Sequence, residues 1–225
     1  PVPQADSVQR PPWWFLPLVG LLFLGVLGTR SLNEPDEGRY AEIAREMVET
    51  GNWLVPQIWY VPHLDKPPLT YWAVAASLSA LGVNEWSARL PLALAALSAV
   101  WATFLMVRSL AGPAAGRWSV LMLGTATLFW VMARMLTTDM FLTQFIAWAI
   151  YFFWRSWRAL DPLSGPLPVP AARSDRPEEP DPDSAAEACG FAARRSFGWQ
   201  LAAWAAMAGG ALTKGPIALV IPLVS

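Results

Sequence analysis

The stretch Asn33-Glu34-Pro35-Asp36-Glu37-Gly38-Arg39-Tyr40-Ala41-Glu42 follows closely on an apolar run at residues 13–27. Charged side chains lose their hydration in hydrocarbon, at a cost of roughly several kcal/mol each. We therefore predict that the apolar run is a first membrane span, at about 13–29, and that the charged stretch lies at or outside the membrane face. The polar, proline-rich residues 1–12 are predicted to be disordered.

The composition of the chain also indicates a membrane protein. Of its 225 residues, 55% are hydrophobic and only 15% are charged, against about 25% charged in soluble domains. The apolar residues come in long blocks, which is typical of a polytopic membrane protein. A net charge of −1 argues against electrostatic binding of nucleic acid, and the single cysteine, Cys189, excludes an internal disulfide. The predicted fold class is an all-α bundle of transmembrane helices.

The order of the predicted segments follows from these blocks. Further spans are predicted at about 89–110, 117–134 and 140–158, and transmembrane helices continue over 197–225. Residues 111–116 are a tight turn between the second and third spans. Residues 161–196 are rich in Pro, Asp, Glu, Ala and Ser, so we expect a disordered cytoplasmic loop there. Because the sequence stops inside an apolar run, we expect it to be part of a longer protein.

Two helices are predicted in the loop after the first span. Residues 36–50 carry apolar side chains at helical spacing, including Tyr40, Ile43 and Met47, opposite a charged face that includes Glu46. Asp36 stands where an N-cap is expected and Gly51 where a helix stops. We expect this helix to lie in the membrane interface with its apolar face in lipid. A second apolar segment, at about 67–82, is shorter than the about 20 residues that cross a bilayer, so it is predicted to be interfacial or re-entrant.

The basic residues set the predicted orientation. If 67–82 does not cross, three groups of arginines fall on one side of the membrane, which is then cytoplasmic: Arg10, the Arg108/Arg117 pair and the Arg155/Arg158 pair. Two acids and two lysines then fall together on the outer face: Asp36, Lys66, Asp139 and Lys214. We therefore predict a site on that face.

Asp36 and Asp139 are the predicted catalytic acids. Either carboxylate could instead be a simple helix cap. The neighbouring Pro35 and Gly38 favour a functional role for Asp36, because they shape the backbone around it. A positioned aspartate can take a proton from an attacking hydroxyl or stabilise positive charge on a sugar ring. Asp139 is favoured because the topology brings it towards Asp36.

Basic side chains near these acids are predicted to bind a phosphate. Lys66 precedes Pro67-Pro68 and an apolar segment, and an ammonium group is a usual phosphate partner. Arg39 and Lys214 are assigned to the same role, although Arg39 could pair on its helix and Lys214 could extend to the lipid headgroups.

Glu37, Tyr40 and Asp65 are predicted substrate-binding residues. For Glu37 the alternative is stabilisation of the helix N-terminus, for Tyr40 packing, and for Asp65 a surface ion pair with Lys66. His63 is the single histidine and does not make a metal site by itself. We predict no metal ligands, and the sequence leaves a divalent metal cofactor open.

Four motifs together carry a family resemblance. In chain order they are Asp36-Glu37-Gly38-Arg39-Tyr40-Ala41-Glu42, Asp65-Lys66-Pro67-Pro68-Leu69-x-Tyr71-Trp72, Thr138-Asp139-Met140 and Leu212-Thr213-Lys214-Gly215-Pro216. This set resembles membrane glycosyltransferases of the C-type superfold, with the 4-amino-4-deoxy-L-arabinose transferases of lipid A and the protein mannosyltransferases as the nearest branches. Asp65 departs from the arabinose branch, which usually has Glu there.

The resemblance implies a reaction and a location. Such enzymes move a sugar from a polyprenyl phosphate to a lipid A-type, glycan or protein acceptor, usually with inversion, on the outer face of the bacterial inner membrane. It places the two family acids on Asp36 and Asp139 and the phosphate-contacting lysine on Lys66. Two other classes stay open: a transporter or flippase for lipid-linked intermediates, and a non-catalytic membrane subunit. A transporter would need ionisable residues near the bilayer midplane, whereas here they stand at span ends.

Overall fold

The structure is a computed structural model that describes residues 15–25, 27–33, 35–160, 182–216, 218, 220 and 222. Within these residues the chain is mainly helical, as predicted, with one short β-hairpin that was not predicted. The elements are α1 (Phe15–Leu24), α2 (Asp36–Thr50), β1 (Gln57–Ile58), β2 (Val61–Pro62), α3 (Leu69–Leu81), α4 (Glu85–Thr125), α5 (Thr127–Met132), α6 (Asp139–Leu160) and α7 (Pro182–Lys214). The predicted disordered segment 1–12 lies outside the described residues.

One helix of the described part of the chain, α4, is long and apolar enough to cross a membrane. Helix α1 covers ten residues of the span predicted at 13–29. The predicted span 117–134 is interrupted at Ala126, whose extended backbone separates α4 from α5. A bundle of several membrane-crossing helices therefore stays a prediction.

The turn predicted at 111–116 is present inside α4. Gly112 has non-helical backbone angles, φ 87° and ψ 175°, which divide the helix into two limbs. Gly116 then lies against the side chains of Phe104 and Arg108, and a Cβ atom added to it would come within 3.0 Å of the Arg108 Cβ. Residues this far apart on a straight helix cannot touch. The chain therefore reverses direction at Gly112.

Helix α2 occupies the predicted residues 36–50, with a difference at its first turn. Pro35 holds the N-cap position and makes no side-chain cap, so Asp36 is the first helical residue rather than the predicted cap. Asp36 and Glu37 still place negative charge at the helix N-terminus, which is favourable. Gly51 ends the helix in the left-handed region at φ 69°, and its N–H donates to the Met47 carbonyl at 3.1 Å.

The apolar face of α2 packs against protein. Tyr40, Ile43 and Met47 are buried in one core cluster with residues of α3 and α4, including Tyr71 and Leu92. The expected placement of this face in lipid is therefore wrong, because the amphipathic pattern only requires that the face be covered. Helix α3 forms at Leu69–Leu81, within the segment predicted at 67–82.

A two-residue turn connects β1 and β2, which together form a hairpin. Its tip residues, Trp59 and Tyr60, both have left-handed backbone angles, with φ of 56° and 59°, in a position that usually carries Asn-Gly. The Glu46 carboxylate accepts hydrogen bonds from the tip N–H groups, at 2.7 Å from Trp59 and 3.0 Å from Tyr60. Glu46 was predicted on the charged outer face of α2, but its side chain is buried because it holds this turn.

Helix α7 differs from the prediction of a disordered loop over 161–196. It begins at Pro182, and Ser196 is buried against α6, where its hydroxyl is 2.9 Å from that of Ser156. The prediction was wrong for 182–196 because a polar composition was given more weight than the alanines, which favour helix. Residues 161–181 and part of 217–225 lie outside the described residues.

Candidate active site

Three of the four sequence motifs meet around Tyr40. Its ring stacks on that of Tyr71, with centroids 5.6 Å apart, and its hydroxyl is hydrogen-bonded with the buried Thr138 side chain. Tyr40 thus connects α2 with the start of α3 and with the segment that leads into α6. This placement gives Tyr40 a structural role that can coexist with contact to a substrate.

The pKa values of the two tyrosines report the charges around them. Burial raises the pKa of Tyr40, and the carboxylates of Asp36 and Asp65 raise it further, while Arg39 and Thr138 oppose the shift. Burial also raises the pKa of Tyr71, with a further contribution from Asp65. Asp36, Asp65 and Arg39 therefore lie within electrostatic range of one stacked pair of rings.

Asp36 stands at the exposed end of this cluster. Its Oδ1 accepts a hydrogen bond from Arg39 Nη2 at 2.8 Å, and the Asp36 side chain remains 58% exposed. The Arg39 guanidinium also lies over the Tyr40 ring, 5.8 Å from its centroid. Asp36 is thus charged, accessible and oriented by a neighbour, as a base or an orienting group requires.

The fourth motif joins through an ion pair between Lys214 and Asp139. Asp139 is the first residue of α6 and Lys214 the last residue of α7. The pair is partly exposed, so both charges can be reached by a ligand. Asp139 also directly follows Thr138, the residue that is hydrogen-bonded with Tyr40.

Lys66 has a looser arrangement. Its Nζ is 3.7 Å from Asp65 Oδ2, and both side chains are partly exposed. Pro67 and Pro68 separate this pair from the first turn of α3, so the backbone there is stiff. A lysine with one weak, exposed partner keeps donors available for a phosphate.

Glu37 is placed differently from its neighbours. Its side chain is 1% exposed and accepts hydrogen bonds from Arg89 and Arg30 and from the backbone N–H groups of Asn33 and Leu136. Burial opposes the charged form, but these bonds and the charge of Arg89 hold the pKa of Glu37 below its usual value of 4.5. With both oxygens occupied, Glu37 is placed to hold the site together rather than to contact substrate.

Arg89 is a structural residue next to the candidate site that the sequence reasoning missed. Its guanidinium is 2% exposed and donates to both oxygens of Glu37 and to the carbonyls of Leu27, Arg30 and Ser31. These bonds use all five of its N–H donors. The signal in the sequence was an arginine in the first turns of an apolar helix, which we used only to mark the start of a span.

A cleft of about 670 Å³ opens on the side of α2 away from the tyrosines. Arg39 lines it together with Glu42, Trp59, Asn84 and Glu85. Arg39 therefore contacts Asp36 on one side and lines this cleft on the other. The cleft is large enough to hold a sugar-sized group next to the candidate site.

His63 has a buried Nε2 without a hydrogen-bond partner among the described residues. In that same part of the chain, no three His, Cys, Asp or Glu side chains are grouped as a metal site would need. The divalent metal that the sequence left open is therefore neither located nor assigned.

Comparisons with known proteins agree with the resemblance stated above. Residues 65–163 match the sequence family described as dolichyl-phosphate-mannose-protein mannosyltransferase. An undecaprenyl phosphate-alpha-4-amino-4-deoxy-L-arabinose arabinosyl transferase of Shewanella sediminis is 45% identical over 87 residues, which cover 39% of this chain and 16% of the relative. One of Pseudomonas fluorescens is 34% identical over 112 residues, covering 48% and 19%.

The fold matches solved structures as well. The crystal structure of ArnT from Cupriavidus metallidurans in the apo state superposes with a TM-score of 0.73 and 29% identity, over 93% of this chain and 33% of that one. The structure of the same protein bound to undecaprenyl phosphate gives a TM-score of 0.72. This chain thus spans about a third of the length of that protein. Its matches to the two arabinosyl transferases cover less than a fifth of their length.

These findings show that the chain is similar to membrane glycosyltransferases over part of their length. The similarity extends both to the arabinosyl transferases and to the family described as dolichyl-phosphate-mannose-protein mannosyltransferase.

Proposed function

We propose that the protein containing this chain transfers a sugar from a polyprenyl-phosphate donor to an acceptor at the outer face of a bacterial inner membrane. The observations that carry this proposal are that Asp36, Asp65 and Thr138 all act on Tyr40, and that Asp139, the residue after Thr138, forms an ion pair with Lys214. These residues come from four separate segments and supply both acids and bases, which a transfer from a charged lipid requires.

The roles of the side chains follow from the chemistry of the bond. An acceptor oxygen attacks the anomeric carbon, and the bond between that carbon and the phosphate oxygen breaks. The electron pair leaves with polyprenyl phosphate, where Lys66 and Lys214 offset the added negative charge. If the acceptor is a hydroxyl, its proton passes to Asp36. If it is an ionised phosphate, Asp36 and Asp139 orient it or stabilise charge on the ring. Attack opposite the leaving group gives inversion.

Similarity to the arabinosyl transferases supports an aminoarabinose donor on undecaprenyl phosphate and a lipid A-type acceptor. The matching mannosyltransferase family keeps a protein acceptor as the second candidate. Transport of lipid-linked intermediates is not supported, because the ion pairs of the site stand at helix ends.

The test is a transfer assay with the full-length protein, a panel of polyprenyl-phosphate sugars and lipid A. The Asp36→Asn variant should lose transfer by at least about a hundredfold while expression and membrane insertion persist. Glu49→Gln is the control, since Glu49 lies on the same helix and pairs only with Arg45 among the described contacts. Equal activity of wild type and Asp36→Asn would contradict the proposed role.

The predicted topology has a test of its own. Reporter fusions at Gly51 and Gly215 should report the outer face, and fusions at Ala114 and Asp181 should report the cytoplasm. Fusions that place Gly51 and Gly215 on opposite faces would exclude a shared site for Asp36 and Lys214.

A further inference from the structure

Three arginines meet at a second cavity. Arg30, Arg89 and Arg134 line a space of about 200 Å³ between the loop after α1 and the turn after α5. None of the side chains lining this cavity belongs to the predicted catalytic or phosphate-binding set. The cavity therefore needs its own explanation.

The charges at this cavity are not balanced. Glu37 forms ion pairs with Arg30 and Arg89, each at 3.1 Å. Arg134 has no carboxylate partner among the described residues; it donates to the Gly25 carbonyl and lies over the Trp130 ring at 4.4 Å. Only two of the three guanidinium groups thus have a carboxylate partner among the described residues, and the oxygens of that carboxylate are already occupied.

The excess charge stays in place at all ordinary pH values. Arginine side chains remain protonated in proteins, so Arg134 keeps its charge beside Arg30 and Arg89. Low-dielectric surroundings strengthen the attraction of such a cluster for an anion. Arg134 and the half-exposed Arg30 are free to contribute donors, whereas Arg89 is saturated.

An apolar groove adjoins the cationic cavity. It has a volume of about 550 Å³ and is lined by residues of α1 and α4, including Leu18, Leu21 and Leu121. Trp130 and Arg134 line both spaces. A ligand that filled the two together would need an apolar chain next to an anionic group.

We propose that the cavity and the groove bind a phospholipid, with the phosphate at Arg134 and Arg30 and an acyl chain along α1. The guanidinium fork matches phosphate oxygens in a bidentate geometry. The groove makes a lipid a better occupant than free phosphate, because inorganic phosphate leaves the apolar surface uncovered. The proposal does not rest on sugar transfer, so its failure would leave the proposed function intact.

The experiment uses the full-length protein in detergent, with dioleoyl phosphatidylglycerol, dioleoyl phosphatidylcholine or inorganic phosphate added. We expect phosphatidylglycerol to raise the melting temperature and to remain bound in native mass spectrometry, since a ligand of the folded state stabilises it. Arg134→Gln and Arg30→Gln should each weaken the binding of phosphatidylglycerol about tenfold or more, measured as the lipid concentration that gives half of the melting-temperature shift. Leu21→Gln should weaken it through the groove.

Arg117→Gln is the matched control, because Arg117 lies near the Gly112 turn and lines neither space. If Arg134→Gln fails to fold, Arg30→Gln decides, since that side chain is 53% exposed. An equal loss in Arg117→Gln, or no response to phosphatidylglycerol, would overturn the proposal. An equal response to inorganic phosphate, unaffected by Leu21→Gln, would overturn the assignment to a lipid.

Discussion

Arg89 and Glu37 form a buried ion pair, with 3.1 Å between Arg89 Nη2 and Glu37 Oε2 and at most 2% of either side chain exposed. The same carboxylate accepts the backbone N–H of Leu136 at 2.9 Å. One acid therefore joins the start of α2, the start of α4 and the segment that precedes Asp139. The relative position of Asp36 and Asp139 depends on it.

Replacing Glu37 with Gln should destabilise the protein by about 3–5 kcal/mol, because the buried Arg89 charge loses its counter-charge. Chemical unfolding of the purified full-length protein measures this loss. Glu49→Gln, on the exposed side of the same helix, should change stability by no more than about 0.5 kcal/mol. Similar values for the two variants would show that the pair is not a structural anchor.

The same pair predicts a dependence of stability on pH. The pKa of Glu37 is lower in the folded protein than its usual value of 4.5. Its contribution is therefore complete above that value and is lost as the pH falls through the lowered folded pKa. The difference in melting temperature between wild type and Glu37→Gln should be constant near neutral pH and shrink in acid. A difference that grows in acid would contradict the assigned direction.

Lys66 should act mainly on the departing phosphate. Lys66→Met should lower kcat by about 10²-fold or more, since it removes a charge that stabilises the transition state. Lys66→Arg should recover part of this loss, because the positive charge is kept. Arg108→Gln, far from the site motifs in the sequence, serves as the control. A change confined to stability would assign Lys66 to its ion pair with Asp65 alone.

The Asp139–Lys214 pair should couple strongly in activity and weakly in stability. Both side chains are partly exposed, so a double-mutant cycle with Asp139→Asn and Lys214→Met should give a stability coupling of at most about 1 kcal/mol. Each single variant should still impair transfer, because each removes a charge from the site. Full activity in either variant would remove that residue from the proposed machinery.

Substitutions at the hairpin tip should increase the stability of the protein. Trp59→Asn with Tyr60→Gly installs residues that favour left-handed angles and should stabilise the protein by about 1 kcal/mol or more, as judged by chemical unfolding. Glu46→Gln should do the opposite, because the tip N–H groups then lose a charged acceptor. Destabilisation by the Asn-Gly pair would mean that the exposed aromatic side chains contribute more than the backbone strain costs.

Local features of this fold could be predicted from the sequence. The periodicity of α2, the stop at Gly51, the short helix α3 and the turn near Gly112 all rest on interactions within a few residues. The placement of Asp36, Lys66, Asp139 and Lys214 on one membrane face came from counting membrane crossings and stays a prediction. Of these four residues, Asp139 and Lys214 form an ion pair.

Non-local partnerships could not be predicted. No pattern in either segment shows that Glu37 pairs with an arginine that is 52 positions away. The apolar face of α2 needs a cover, but lipid and protein satisfy its pattern equally well. Glu46 looked like a surface charge because its partners are backbone groups of a hairpin with two unusual left-handed residues.

The reversal at Gly112 bears on how the protein is made. The backbone angles of Gly112 set the direction of the second limb, so the two apolar limbs can pack together only when this residue adopts them. A side chain at position 112 would meet no atom within 4 Å, but the positive φ of Gly112 is unfavourable for any residue with a Cβ atom. A bulky residue there would therefore be expected to disturb biogenesis before it touched the chemistry.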